Sequence, residues 1–309
     1  MNRQNFGVAR SEVKTHLSLA NTLSQTFTTQ TTVPKGIAVN RSTAAHVWGD
    51  DGTLVEVPAN APRLGHDPET GAPLGLLIEN GSTNLLAHSV ASTAHWSTGA
   101  TSPNDLSLNA LGRFPGVRVP SSGVVWSRLL QAFPGTSGQA YAITLYYQAG
   151  TSPDIRLTIS GGNGASRLSG PHGSLSQTQA SIGTFSGISE RLLLDGQTRE
   201  IRAVFTATTT ETLRLGFGPE STTVDEDVIL LAAQVEEGAS FSSYIHSDGT
   251  AGTRSADAVM VTTLRGEYQV SVDYTEGQTE NFGLLTLSNG TEMSGLSSGH
   301  IARIKAIQP

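Results

Sequence analysis

No cysteine occurs in this chain, which excludes a disulfide framework, a thiolate zinc site and a cysteine nucleophile together. Charged residues make up only 15% of the 309 positions and aromatic residues 6%. Positive charge is in deficit, with a formal net charge of -7. That balance argues against broad binding to a phosphate backbone, which needs a basic face, but leaves room for a local basic groove. No apolar run approaches the ~18 residues that mark a membrane span. The first residues, MNRQNFGVARSEVKTHLS, lack an apolar h-region and predict no secretory signal. Catalytic spacings are missing too: there is no H-E-x-x-H, no G-x-S-x-G and no P-loop. The stretch GGNGASRLSG is glycine-rich but lacks the lysine and the strand-to-helix context of a phosphate cradle.

Glycine, serine, threonine and valine are abundant instead, with 34 Gly alone. In short alternating runs these residues favour strands and tight turns. The length fits about two domains, or one large sandwich with appendages. The opening segment, residues 1–34, carries Val13, Leu17, Leu19 and Leu23 at loose helical spacing, with Ser11 as an N-cap. A Thr/Gln-rich tract then runs to Pro34. It reads either as a flexible tail or as an attachment arm that orders when docked. A lead-in of short strands follows over residues 35–88. It includes a hairpin signal around Asp50-Asp51-Gly52 and a turn from Pro68 to Gly71.

From about residue 89 to 258, alternation repeats at roughly ten-residue spacing, the pattern of an antiparallel sandwich. One parity of each run is apolar: Tyr141, Ile143, Leu145 and Tyr147; Ile155, Leu157 and Ile159; Ile201, Ala203 and Phe205; Leu213, Leu215 and Phe217. The run DVILLAAQV is apolar on both parities, as in a central strand covered on both faces. Residues 161–190, rich in Gly, Ser and Gln, read as a long polar loop. Three further runs, GEYQVSVDY, FGLLTLS and HIARIKAI, predict a small C-terminal β unit over residues 259–309.

Two stretches stand out, GLLIENGSTNLL from Gly75 and QVEEGASFSSYIHSDGTAGTRSAD from Gln234. Together they resemble the carbohydrate-binding-module-like β-sandwich domains of bacteriophage and prophage tail fibres and head fibres, and of the spikes of gene transfer agents. In that family a GLLIE-x-x-x-TNLL segment is paired with a Q-x-E-x-G…TSYI-P-T…TR-x-AD segment. The matching residues are Gly75 to Glu79, Thr83 to Leu86, Gln234, Glu236, Gly238, Ser243 to Ile245, Thr253, Arg254, Ala256 and Asp257. Trp96 and the run from Asn40 to Pro68 are similar to the same lead-in. His246 and Ser247 depart from Pro-Thr, and Asn80 to Ser82 from a more usual acidic or Pro-Ala-Arg run. The resemblance covers roughly residues 36 to 260. It implies an all-β jelly-roll sandwich on a virion surface that binds host surface polysaccharide. A capsid or tail protein would hold it through residues 1–34, as a trimer or pentamer, with no role in nucleic acid or membrane binding.

Sugar sites stack rings and read hydroxyls with amides and guanidinium groups. The outward parities offer Trp126, Arg128, Tyr146, Gln148, Arg156, Arg202 and Arg214. If their strands are neighbours, these residues form one binding face; the alternative is a solvated face with arginines paired to acids such as Glu200. Glu220, Asp225, Glu226 and Asp227 form an acidic cluster whose oxygens suit a structural calcium, or are simply solvated. Of these, Glu220, Asp225 and Asp227 are the metal candidates. Glu236 and Glu237 point to opposite faces of a strand and make a poor catalytic pair, so the expectation is a binding protein and not an enzyme. Glu79 and Arg254 interrupt apolar or small-residue contexts. A buried Glu79 paired with Arg254 is expected, with Asn84, Tyr244 and Asp257 as further structural residues.

Overall fold

The computed structural model describes residues 22–28, 32, 33 and 35–309. The helical stripe expected from Val13 to Leu19 lies outside them. Among the described residues there is no helix, and every strand pairing is antiparallel.

Two six-stranded sheets face each other as a sandwich. The first runs, in spatial order, Gly183–Leu192, Thr198–Ala207, Ala140–Ala149, Asp227–Glu237, Val117–Pro120 and Asn104–Asp105. The second runs Ser176–Ala180, Gly164–Pro171, Asp154–Gly161, Glu211–Pro219, Arg128–Gly135 and Ser97–Gly99. The apolar parities named above meet between them. Tyr141, Ile143, Leu145, Ile201 and Phe205 from the first sheet pack against Ile155, Leu157, Leu213, Leu215 and Phe217 from the second. Strand periodicity alone places these side chains, because successive residues point to opposite faces.

The strand Asp227–Glu237 is central and buried on both faces. A bulge opposite Tyr146 and Tyr147 leaves Leu231 as the extra residue. A bulge of this kind re-aims side chains. Here Leu230 points into the sandwich core, while Leu231 and Ala232 point into a second apolar cluster on the outside.

The stretch expected as a loop over 161–190 is mostly strand: Gly164–Pro171, Ser176–Ala180 and Gly183–Leu192. Its polar composition misled because the first two of these strands form the edge of the second sheet, where only one parity is buried. Leu168 and Ile182 enter the core while Gln177, Gln179 and Ser181 meet solvent or each other.

Residues 259–309 do not make a unit by themselves. Their sheet runs Thr279–Leu287, Gly266–Tyr274, Gly299–Ile307, Pro73–Ile78 and Leu64–His66, with Thr22–Thr26 also paired to Gly299–Ile307. Leu23, expected in a helix stripe, is therefore a buried strand residue. A three-stranded sheet, Ile37–Asn40, Ala258–Val261 and Thr291–Met293, closes the same core. Leu76 and Ile78 of the GLLI stretch belong to this second core and not to the sandwich, whose core takes Leu86 instead.

Candidate functional site

The two outer faces of the sandwich differ completely. That of the first sheet is roofed by the hairpin Ala45–Trp48/Leu54–Val57, by the turn around Leu111 and by the segment around Tyr244. Tyr146, Phe114 and Tyr244 pack under this roof with ring centroids 5.3–6.2 Å apart. Tyr146 is only 2% exposed. Its hydroxyl donates to Glu200 Oε1 at 3.1 Å. The expected sugar platform is therefore a core ring, because the lead-in residues cover the parity that faces away from the first core. Arg202 lies on the same sheet, donates to Glu200 Oε1 at 3.1 Å and sits 5.5 Å over Phe241. Gln148 is half-buried, with its amide 3.4 Å from Thr198 Oγ1. These three residues are separated by the whole sandwich from the rest of the expected site.

No other segment among the described residues covers the outer face of the second sheet, although Arg156 and Thr158 in its middle are buried, at 4% and 2% exposed. Arg128, Arg156 and Arg214 share one parity there, joined by Arg167, which the sequence reading missed. Register fixes the pattern: Arg128 lies opposite the Gly218 position, Arg156 pairs with Gly218, and Arg167 pairs with Thr158. The lack of side chains at Gly216 and Gly218 makes the floor of the row. A Cβ on Gly216 would stand 2.9 Å from Arg128 Cδ, so the Arg128 side chain lies flat across the strand.

Acidic neutralisation of this face is slight. Arg156 meets Glu220 at 2.5 Å. Among the described residues Arg128, Arg167 and Arg214 make no ion pair, and Arg128 Nε is buried without a partner. Burial alone pulls the Arg128 guanidinium below its ordinary value. Burial also lowers Arg156; Glu220 opposes this, while Arg167 and Arg128 push it further down. These shifts record like charges held close together in partly desolvated positions. Trp126 stands at the rim of the row, 52% exposed, with Val224 exposed on the neighbouring turn.

The metal candidates do not converge. Glu220 is held by Arg156, and Asp227 by Arg118 and by Thr151 N at 2.9 Å. Asp225 is exposed and presents its carbonyl to Arg118. No cluster of three or more metal-ligating side chains occurs among the described residues. The acidic turn is thus arranged around Arg118 and Arg156.

The structural residues meet in one buried polar cluster where the lead-in, the sandwich and the second core join. Glu79 accepts from Arg63 Nη1 at 2.7 Å and from Ser243 N and Oγ at 2.7 and 2.6 Å, with Arg254 Nη1 at 3.5 Å. Asp257 accepts from Arg41 at 2.9 Å, Arg63 at 2.5 Å and Glu79 N at 3.0 Å. Burial would raise the Glu79 carboxyl, but Arg254, Arg63 and the Ser243 donors outweigh it and hold it below its ordinary value. Asn84, at the end of the strand Ser82–Asn84, ties it to the strand Asp227–Glu237 and to the Tyr244 segment, donating to Ile245 O and accepting from Leu86 N and Val235 N. Tyr244 shares a 2.6 Å hydrogen bond with Ser89. Arg41 and Arg63 carry much of this cluster; only their isolation in weakly charged sequence marked them. A scan of known protein families and a search of curated proteins find no match to this chain.

Proposed function

We propose that the chain is a virion surface protein, a fibre or spike of a phage or gene transfer agent, that adsorbs to anionic host surface polysaccharide through the open face of the second sheet. One observation carries this reading: a row of arginines, mostly without acid partners, beside an exposed tryptophan, on the outer sandwich face that no other segment among the described residues covers, in a chain of net charge -7. A sheet face built this way matches an extended polyanion. Guanidinium groups form paired hydrogen bonds with carboxylates or sulfates, and the indole offers a surface for a sugar ring. The resemblance in the GLLIE and SYI stretches supports the particle context, with the segment ahead of Thr22 assigned to capsid or tail attachment, since Thr22–Thr26 and Phe27 belong to the second core. Weak sites repeated on a trimer or pentamer would gain avidity through effective concentration.

The test is binding of the whole chain to purified acidic capsular polysaccharide at low and high salt. The expected result is salt-sensitive binding, weakened in Trp126→Ala and in Arg128→Ala, with no release of reducing ends. Absent binding would favour a decoration or joint protein without a glycan site, and salt-insensitive binding would remove the arginine row as its source. Falling polymer viscosity would favour a depolymerase.

A further inference from the structure

A second recess lies far from the basic row, where the roof hairpin, the end of the sandwich and the second core come together. It has two lobes that share Glu79, Phe241, Ser242 and Ser298. The first lobe, ≈ 210 Å³, is walled by the rings of Trp48, His66, Phe241 and His300 and by Leu77. The second, ≈ 370 Å³, is walled by the hydroxyls of Ser82, Ser240, Ser242 and Ser298, with Glu236 and Arg254 behind them.

The deep wall of the second lobe carries an unusual group. Arg254 is 1% exposed, yet its Nε, Nη1 and Nη2 atoms all lack a hydrogen-bond partner among the described residues. Its nearest carboxylate, Glu79, lies 3.5 Å from Nη1, and buried donors left without hydrogen bonds are costly. The neighbouring carboxylates are already engaged: Glu236 takes Ser82, Ser242 and Gln234 at 2.5–2.6 Å, and Glu79 takes Arg63 and Ser243. The Arg254 donors are therefore unused among the described residues, but they are closed to solvent in this structure and meet an outside acceptor only if the wall of the lobe moves.

We propose that this recess is a separate saccharide site, one that takes a neutral hexose or the neutral end of a glycan. A hexose has an apolar C–H face and a rim of hydroxyls, which are the two chemistries the lobes present. Ring stacking suits the first lobe. Sugar hydroxyls suit the serines of the second: Ser82 and Ser242 already donate to Glu236, while Ser240 and Ser298 have no acceptor among the described residues. The charge balance argues for neutrality: Glu79, Glu236 and Glu237 line the recess against Arg202 and Arg254, so a uronic acid meets carboxylates rather than a basic field. The inference does not rest on the polyanion reading of the open face.

The experiment uses the full chain and saturation-transfer NMR with methyl glycosides of glucose, galactose and mannose, and with glucuronic acid as the anionic comparison. At least one neutral glycoside is expected to bind and glucuronic acid to bind less. Phe241→Ala is expected to weaken the signal about tenfold, the effect of removing a stacking ring. Ser298→Trp, at an exposed position, is expected to fill the recess and abolish binding without loss of fold. Trp126→Ala and Arg214→Ala are expected to leave it unchanged. No binding of any neutral glycoside overturns the proposal, as does binding lost in Trp126→Ala but kept in Phe241→Ala and Ser298→Trp.

Discussion

The first sheet's outer face and the second sheet's outer face start from similar sequence. Each alternates apolar residues with Arg, Thr, Tyr or Gln. On the first sheet the polar parity is covered by residues 45–57 and 241–247, and its arginines turn to Glu200. On the second sheet nothing among the described residues covers the same parity, and its arginines stay mostly without acids. The difference shows that outward parity names a face, while covering decides whether that face becomes core or surface.

The cluster that holds the cover in place should give the largest effect. Asp257→Ala leaves Arg41 buried without a carboxylate and Arg63 with Glu79 alone. A loss of about 3–5 kcal/mol is expected, read as a lowered midpoint in urea unfolding. A loss under about 1 kcal/mol would mean that the roof is not held by these pairs.

The sharpest contrast compares one ring from each face. Tyr146→Ala should cost about 3–5 kcal/mol in the same assay, as for other large buried rings. Trp126→Ala should stay within about 0.5 kcal/mol for stability while losing polysaccharide binding. Equal stability costs would erase the distinction between covered and open faces.

Acid should act on the covered side first. Burial and Arg113 hold His46, under the roof, down to about 3 from 6.5. The unfolded chain therefore binds a proton that the folded chain refuses, and stability falls as pH drops from 6.5 toward 3, by at most about 1.4 kcal/mol per pH unit. Glu79, lowered from 4.5, adds its own loss only as pH falls below 4.5. Unfolding midpoints measured from pH 7 to 4 should slope downward in the parent and less steeply above pH 4.5 in His46→Gln, where His246 and His300, also lowered by burial, keep part of the slope. An unchanged slope would remove His46 as its source.

The smallest effect belongs to a single open-face charge. Arg214→Ala should weaken polysaccharide binding about two- to fivefold at low salt and almost not at all at high salt, as screening predicts. Stability should not move. A salt-independent loss would point to packing instead of charge.

Much of the sandwich was legible because burial follows a period of two. Tyr141, Ile143, Ile201 and Leu213 needed only that rule. The strands within 161–190 were not legible, since edge strands bury little and their Gly, Ser and Gln resemble a loop. The site was half legible. Arg128, Arg156, Arg214 and Trp126 share the open face, but Tyr146, Gln148 and Arg202 lie behind the other sheet. Arg167 was hidden inside the supposed loop, although the Arg-Leu-Ser alternation at 167–169 carried its signal.

Local sequence by itself determined the strands, their inward parities, the hairpin at Asp50-Asp51-Gly52 and the scarcity of charge that leaves each arginine conspicuous. These follow from backbone geometry and side-chain alternation, which act over a few residues. Only the tertiary structure decided which strands became neighbours and which outer face was covered. It also joined GLLI to a C-terminal sheet, and left Arg254 buried beside Glu79 without a hydrogen bond among the described residues. Those outcomes depend on contacts between residues some two hundred positions apart, such as Arg41 with Asp257, and no local pattern encodes which distant surface will arrive to cover a strand.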